Sequence, residues 1–220
     1  MLALSQIIFG VRNLDAASHR VAALGFDVLD GGVHPGVGTA NRVIPLGEQY
    51  LELLGVVAPE QARRSEYGQS LLRAIADGDR LVRWSLRTDA IDDVAQRLGI
   101  DVEARTRRRP DGELLSWRAA GLKCALEDAT LPFFMQWDRA EQYPGLMRAT
   151  HRNGARGVVS LSLTPRDAAR FQRWSDGADA PLDIRADPEP GLRCVAVATN
   201  RGELVIDACD TRPHKGECNG

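Results

Sequence analysis

Three short apolar runs in this chain, LSQIIFGV, LVRWSLRT and GVVSLSLT, are each followed by the same step. After each run an Asp-Ala pair lies at or near the start of an amphipathic stretch: NLDAASHRVAALGFDV at Asp15-Ala16, RTDAIDDVAQRLGIDV at Asp89-Ala90, and TPRDAARFQRW at Asp167-Ala168. Alternation in the apolar runs predicts half-buried strands, and the three-to-four spacing that follows predicts helices. A repeat of about 75 residues means that one small βα unit has been used several times. Where such units meet, a shared concave surface forms, and that is where small molecules bind.

The first unit reads as βαβββ over residues 1–57. Asn13 or Asp15 is positioned to cap the helix, and Gly25 fits its stop. FDVLDGG, ANRVIPLG and QYLELLGVV supply the later strands. Residues 58–79 form a polar, helix-prone connection with one apolar stripe of Tyr67, Leu71, Leu72 and Ile75. Residues 80–138 repeat the βαβββ order, with the turn chemistry of Pro110-Asp111-Gly112 between two strands. Residues 139–156 are rich in turn formers and read as a crossover loop. Residues 157–210 begin a shorter third unit, and residues 211–220 read as a tail.

Composition narrows the class more than the function. The net charge of −2 gives no reason to expect a nucleic-acid partner. The local cluster Arg105, Arg107, Arg108 and Arg109 fits either a solvated loop or an anion-facing role. No run approaches the roughly 20 apolar residues of a membrane span, and the N-terminus lacks the features of a signal peptide. Cys124, Cys194, Cys209 and Cys218 show no metal-type spacing and read as reduced thiols of a cytoplasmic protein.

Several segments then carry a resemblance. GGVHPGVGTANRVIPLGEQYLELLGV (residues 31–56), RRPDGELLSW, LPFFMQW and HRNGARGV occur in the order found in the glyoxalase-like group of the vicinal oxygen chelate superfamily. The resemblance covers roughly residues 1–160. It implies an α+β fold in which paired βαβββ modules form an open, incomplete barrel, here with a reduced third unit at the C-terminus. It also implies a ligand cleft between the modules, with divalent-metal ligands on the first and last strands of each. Carried over by position, those places hold Gln6 and Glu52 in the first module. In the second they hold Gln136 and a residue near Arg83 or Trp84. One carboxylate and two amides are a depleted set for Zn, Mn, Ni or Fe. His34 and His151 would have to complete it from loops.

Read residue by residue, alternation places Tyr50, Glu52 and Leu54 on one face of a strand. A carboxylate there is either solvated in a wet cleft or acts as ligand or base. His34 sits in a glycine-dense loop, and with Thr39 and Asn41 it reads as a polar wall or as a structural hairpin. Gln136 is either a cleft-facing amide or a core hydrogen bonder. Trp84, Trp117 and Trp137 line an apolar pocket or belong to the core. Two functions follow. One is an enzyme acting on a small oxygenated molecule, with Glu52 and His34 as catalytic groups, with or without a metal held by Gln6, Glu52 and His151; Thr39, Asn41, Gln136, Trp84 and Trp117 would bind the ligand. The alternative is a metal-free protein that sequesters a small molecule. Sheet edges of this fold also offer a surface on which two copies could pair.

Overall fold

The computed structural model describes residues 1–108 and 112–207. Arg109, Pro110, Asp111, Cys209, Cys218 and the tail from residue 211 lie outside the described residues.

The first repeat builds β1 (Leu2–Val11), α1 (Leu14–Ala23), β2 (Leu29–His34), β3 (Thr39–Pro45) and β4 (Tyr50–Val56). Two short helices follow, α2 (Pro59–Ala62) and α3 (Glu66–Ala74). The second repeat gives β5 (Arg80–Arg87), α4 (Ile91–Leu98), β6 (Val102–Arg108), β7 (Leu114–Ala120), α5 (Leu122–Glu127) and β8 (Phe133–Trp137). Local chemistry fixes most of the helix ends. The Asn13 side chain accepts from the Ala16 N–H at 2.9 Å and caps α1. Gly99, at φ 64, ends α4 in the left-handed conformation that favours glycine. The helix α5 was not expected from sequence, because its six residues are too few to show a period.

The two modules join edge to edge. Strand order in the main sheet is β2-β3-β4-β1-β5-β8-β7-β6, with β1 antiparallel to β5. Each half mirrors the other, since β1 runs parallel to β4 and β5 runs parallel to β8. The resulting sheet curls into a nearly closed barrel. Register places one row of side chains across its concave face: Val43 opposite Glu52, Glu52 beside Ile8, and Ile8 opposite Arg83. Helix α3 lies against this face near the module junction, with Leu71 and Ile75 packed in one cluster with Ile8 and Val82. Gly10 permits that approach: a Cβ there would stand 2.7 to 2.9 Å from Val82, Ile75 and Leu71.

The third unit forms its own sheet from β9 (Gly157–Thr164), β11 (Leu182–Ile184), β12 (Gly191–Thr199) and β13 (Gly202–Asp207), in the order β11-β9-β12-β13. Helix α6 (Ala168–Trp174) is capped by Asp167, and β10 (Ala178–Asp179) adds to the start of β1. The parallel β11/β9 and antiparallel β9/β12 pairs reproduce β4/β1 and β1/β5, so the unit repeats the junction of the larger sheet. Its apolar face shares one core with the convex side of the barrel: Leu161, Leu163, Phe171 and Trp174 pack in the cluster that holds Trp84, Leu86 and Phe134. Cys194 is disulfide-bonded, which corrects the expectation of four reduced thiols, whereas Cys124 is free. Spacing along the chain does not show which thiols meet in space.

No helix among the described residues is long and apolar enough to cross a membrane.

Candidate functional site

The concave face of the barrel encloses a cavity of about 540 Å3 lined from both modules. Gln6 of β1, Asn41 of β3 and Glu52 of β4 form its polar end. Opposite them, Trp117, Phe133, Met135 and Trp137 form an apolar wall. The period-two alternation of β4 decides which residues enter, since Leu51 and Leu53 point into the core on the other side.

Glu52 is 5% exposed. The Gln6 amide nitrogen donates to its carboxylate in a short contact. Arg107 of β6 reaches across the cleft and donates to Asn41 Oδ1 at 2.8 Å. Burial pushes the Glu52 carboxyl up to about 6, against the downward pull of the Arg107 charge, bonds from Asn41 and Gln6, and the Arg83 charge. Gln6 Oε1 and Trp137 Nε1 are buried without a hydrogen-bond partner among the described residues. Buried polar atoms are nearly always paired, so an acceptor and a donor left open in one cavity are groups a ligand can use. The Trp117 and Trp137 rings pair across β7 and β8 with centroids 5.3 Å apart.

His34 ends β2 and lines the cavity, and its Nδ1 lies 2.8 Å from Thr39 Oγ1. Burial and the nearby Arg107 charge draw its imidazole down to about 4, so it is neutral at pH 7. Gly31 clears space for Asn41, because a Cβ at that position would fall 2.1 Å from Asn41 Oδ1.

The remaining sequence candidates lie elsewhere. His151 accepts from the Asp27 N–H at 2.9 Å through Nδ1 and contacts the Pro45 carbonyl at 2.6 Å through Nε2. Both ring nitrogens are engaged, so it ties the crossover loop to the first module and has none free for a metal. Gln136 points away from the cavity, where its Oε1 accepts from the Ile91 N–H at 3.1 Å and caps α4. Trp84 is fully buried on the convex side, donating to the Thr130 carbonyl and packing near Phe171. A bulge in the β1/β5 pairing between Ile8 and Phe9 helps set which β5 side chains face inward, and sequence alternation does not reveal it. Tyr67 and Arg107 also line the cavity and did not stand out in the sequence as site residues. Tyr143 closes the barrel beneath the cavity through hydrogen bonds to the Ser5 and Glu48 carbonyls. The clustered arginines of β6 were the signal that could have found Arg107.

The set does not fit a divalent metal. Among the described residues, no three of His, Cys, Asp and Glu are grouped to hold one. Glu52 supplies one carboxylate and Gln6 one amide oxygen, while Arg107 places positive charge close to both Glu52 and His34. A guanidinium there opposes a second cation.

The glyoxalase-like domain family model matches residues 6–178. No curated protein matches the chain. Among solved structures, a hypothetical protein from Staphylococcus aureus is 16% identical, with a TM-score of 0.62 over 93% of this chain and 84% of that one. Methylmalonyl-CoA epimerase from Mycobacterium tuberculosis is 15% identical, with a TM-score of 0.41 over 61% of this chain and 85% of that one. A variant of 4-hydroxymandelate synthase from Streptomyces coelicolor is 16% identical, with a TM-score of 0.44 over 98% of this chain and 65% of that one. The paired modules and the family match over most of the chain agree: this chain belongs to the glyoxalase-like domain family of the vicinal oxygen chelate superfamily.

Proposed function

We propose that the protein binds a small molecule in the inter-module cleft without a resident divalent metal. The observation that carries this reading is the buried Gln6–Glu52 pair, with Arg107 close by, facing the Trp117–Trp137 wall. A ligand with an oxygen-bearing end meets hydrogen-bond donors and acceptors at Gln6, Asn41, Glu52 and Arg107. Its planar or apolar body lies against the tryptophans, where aromatic contact adds to simple burial. Trp137 Nε1 supplies a further donor. His34, held by Thr39, adds a neutral imidazole to the cavity wall.

A second reading, in which the ligand is also transformed, is favoured by one feature. A carboxyl titrating near 6 is matched to taking a proton from carbon or oxygen close to neutral pH. Arg107 would then stabilise the oxyanion that forms.

The probe for the test is 8-anilinonaphthalene-1-sulfonate, followed by its own emission and by quenching of tryptophan. We expect saturable one-to-one binding that is indifferent to added Zn, Mn, Ni or Fe(II). Trp137→Ala should weaken it about tenfold or more, the scale of a lost buried aromatic contact. Binding that appears only after metal addition would overturn the metal-free reading. An unchanged affinity in Trp137→Ala would place the ligand elsewhere.

A further inference from the structure

We infer that the molecule has a second ligand site, for a phosphate-type anion, in the groove between the barrel and the C-terminal sheet. This groove encloses about 1050 Å3 and is lined by α3, β5, α5 and the loop before β12. Arg73, Arg80, Arg83 and Arg166 line it, and none of the four forms an ion pair with a described residue. Arg83 carries the argument. It is 1% exposed, yet among the described residues its Nε and Nη2 have no hydrogen-bond partner, and Arg80 Nε is likewise unmatched. Nη1 of Arg83 donates to Ser70 Oγ at 3.2 Å, and the guanidinium also interacts with the Tyr67 hydroxyl and the Glu52 carboxyl.

A guanidinium does not shed its proton, so a buried one must be compensated by contacts. Stacking on Tyr67, with the guanidinium carbon 4.3 Å from the ring centroid, compensates part of it. Nε and Nη2 remain open, and Arg73, Arg80 and Arg166 line the groove that Arg83 borders. The forked geometry of arginine matches the oxygens of phosphate, and several such forks in one groove select multiply charged anions. Carboxylates also reach the groove. Asp187 is already engaged by Arg193 and Thr164, Asp207 also has a partner, and Glu127 and Glu189 are exposed. Tyr67 and Glu52 line the first cavity, so Arg83 stands between the two sites and its charge is felt in both.

The test is calorimetric titration with inorganic pyrophosphate at fixed chloride. Wild type should bind one pyrophosphate saturably. Arg83→Met, which replaces the buried charge by an apolar chain of similar length, should weaken binding by about tenfold or more. Because Arg83 is buried, the double variant Arg80→Gln with Arg166→Gln, at less buried positions, provides a second arm with the same expected loss. Anilinonaphthalene sulfonate binding in the first cavity should survive in the double variant. No saturable binding to wild type, full binding in both variants, or displacement of the dye by pyrophosphate would each overturn the proposal.

Discussion

Glu52 and His34 face one cavity, yet their titrations act on stability in opposite directions. The Glu52 carboxyl is raised from 4.5 to about 6, so the folded state holds its proton more tightly than the unfolded chain. That contribution is complete below pH 4.5 and is lost as pH rises through 6; a shift of this size corresponds to about 2 kcal/mol. His34 is lowered from 6.5 to about 4, so its contribution is complete above 6.5 and lost as pH falls through 4. The two windows overlap and partly cancel in the wild type. Glu52→Gln should therefore become more stable relative to wild type as pH rises from 4 to 7, by about 2 kcal/mol in urea unfolding. His34→Asn should show the reverse trend, gaining on wild type as pH falls. Parallel stability curves for wild type and Glu52→Gln would mean that this carboxyl is solvated.

The element scale explains why a strand residue with the look of a ligand serves a helix instead. Helix α4 has no capping side chain of its own, because Ala90 stands at its N-cap. The Ile91 N–H is met from β8 by Gln136, across 45 residues of chain. Gln136→Ala should cost about 1 kcal/mol, the scale of a lost cap, while leaving dye affinity in the cavity unchanged. Urea midpoints and fluorescence titration of the same variant check both halves. The capping of α1 by Asn13 and of α6 by Asp167 is local and readable from sequence. That of α4 is not, because its partner arrives through the sheet.

At the scale of the whole molecule, the C-terminal unit is part of the core. Trp84 packs beside Phe171, and Phe134 beside Trp174, with ring centroids 6.4 and 6.1 Å apart. The barrel's convex side and the third unit therefore form one hydrophobic layer. The intact chain should unfold in a single transition with coincident fluorescence and circular dichroism. A chain ending at residue 156 would expose Trp84, Leu86 and Phe134 and should populate a loosened state that binds hydrophobic dye non-saturably. A cooperatively folded truncated chain would show that the third unit is dispensable.

The sequence alone determined the repeated units, most strands, the α+β class and the resemblance, because periodicity and caps are local. It also singled out Gln6, His34, Asn41, Glu52 and Trp117, which the fold brings to one cavity, and Thr39, which lies fully buried against His34. Only the tertiary structure decided which face β5 and β8 turn inward. A bulge in the β1/β5 ladder helps place Arg83 on the concave side and Trp84 in the core, and neither leaves a mark on alternation. It also decided that His151 is consumed by Asp27 and Pro45, and that Arg107 reaches Asn41 from the other module. These are meetings between residues far apart in the chain, fixed by sheet register and packing, whereas pattern along a sequence reports only what neighbours share.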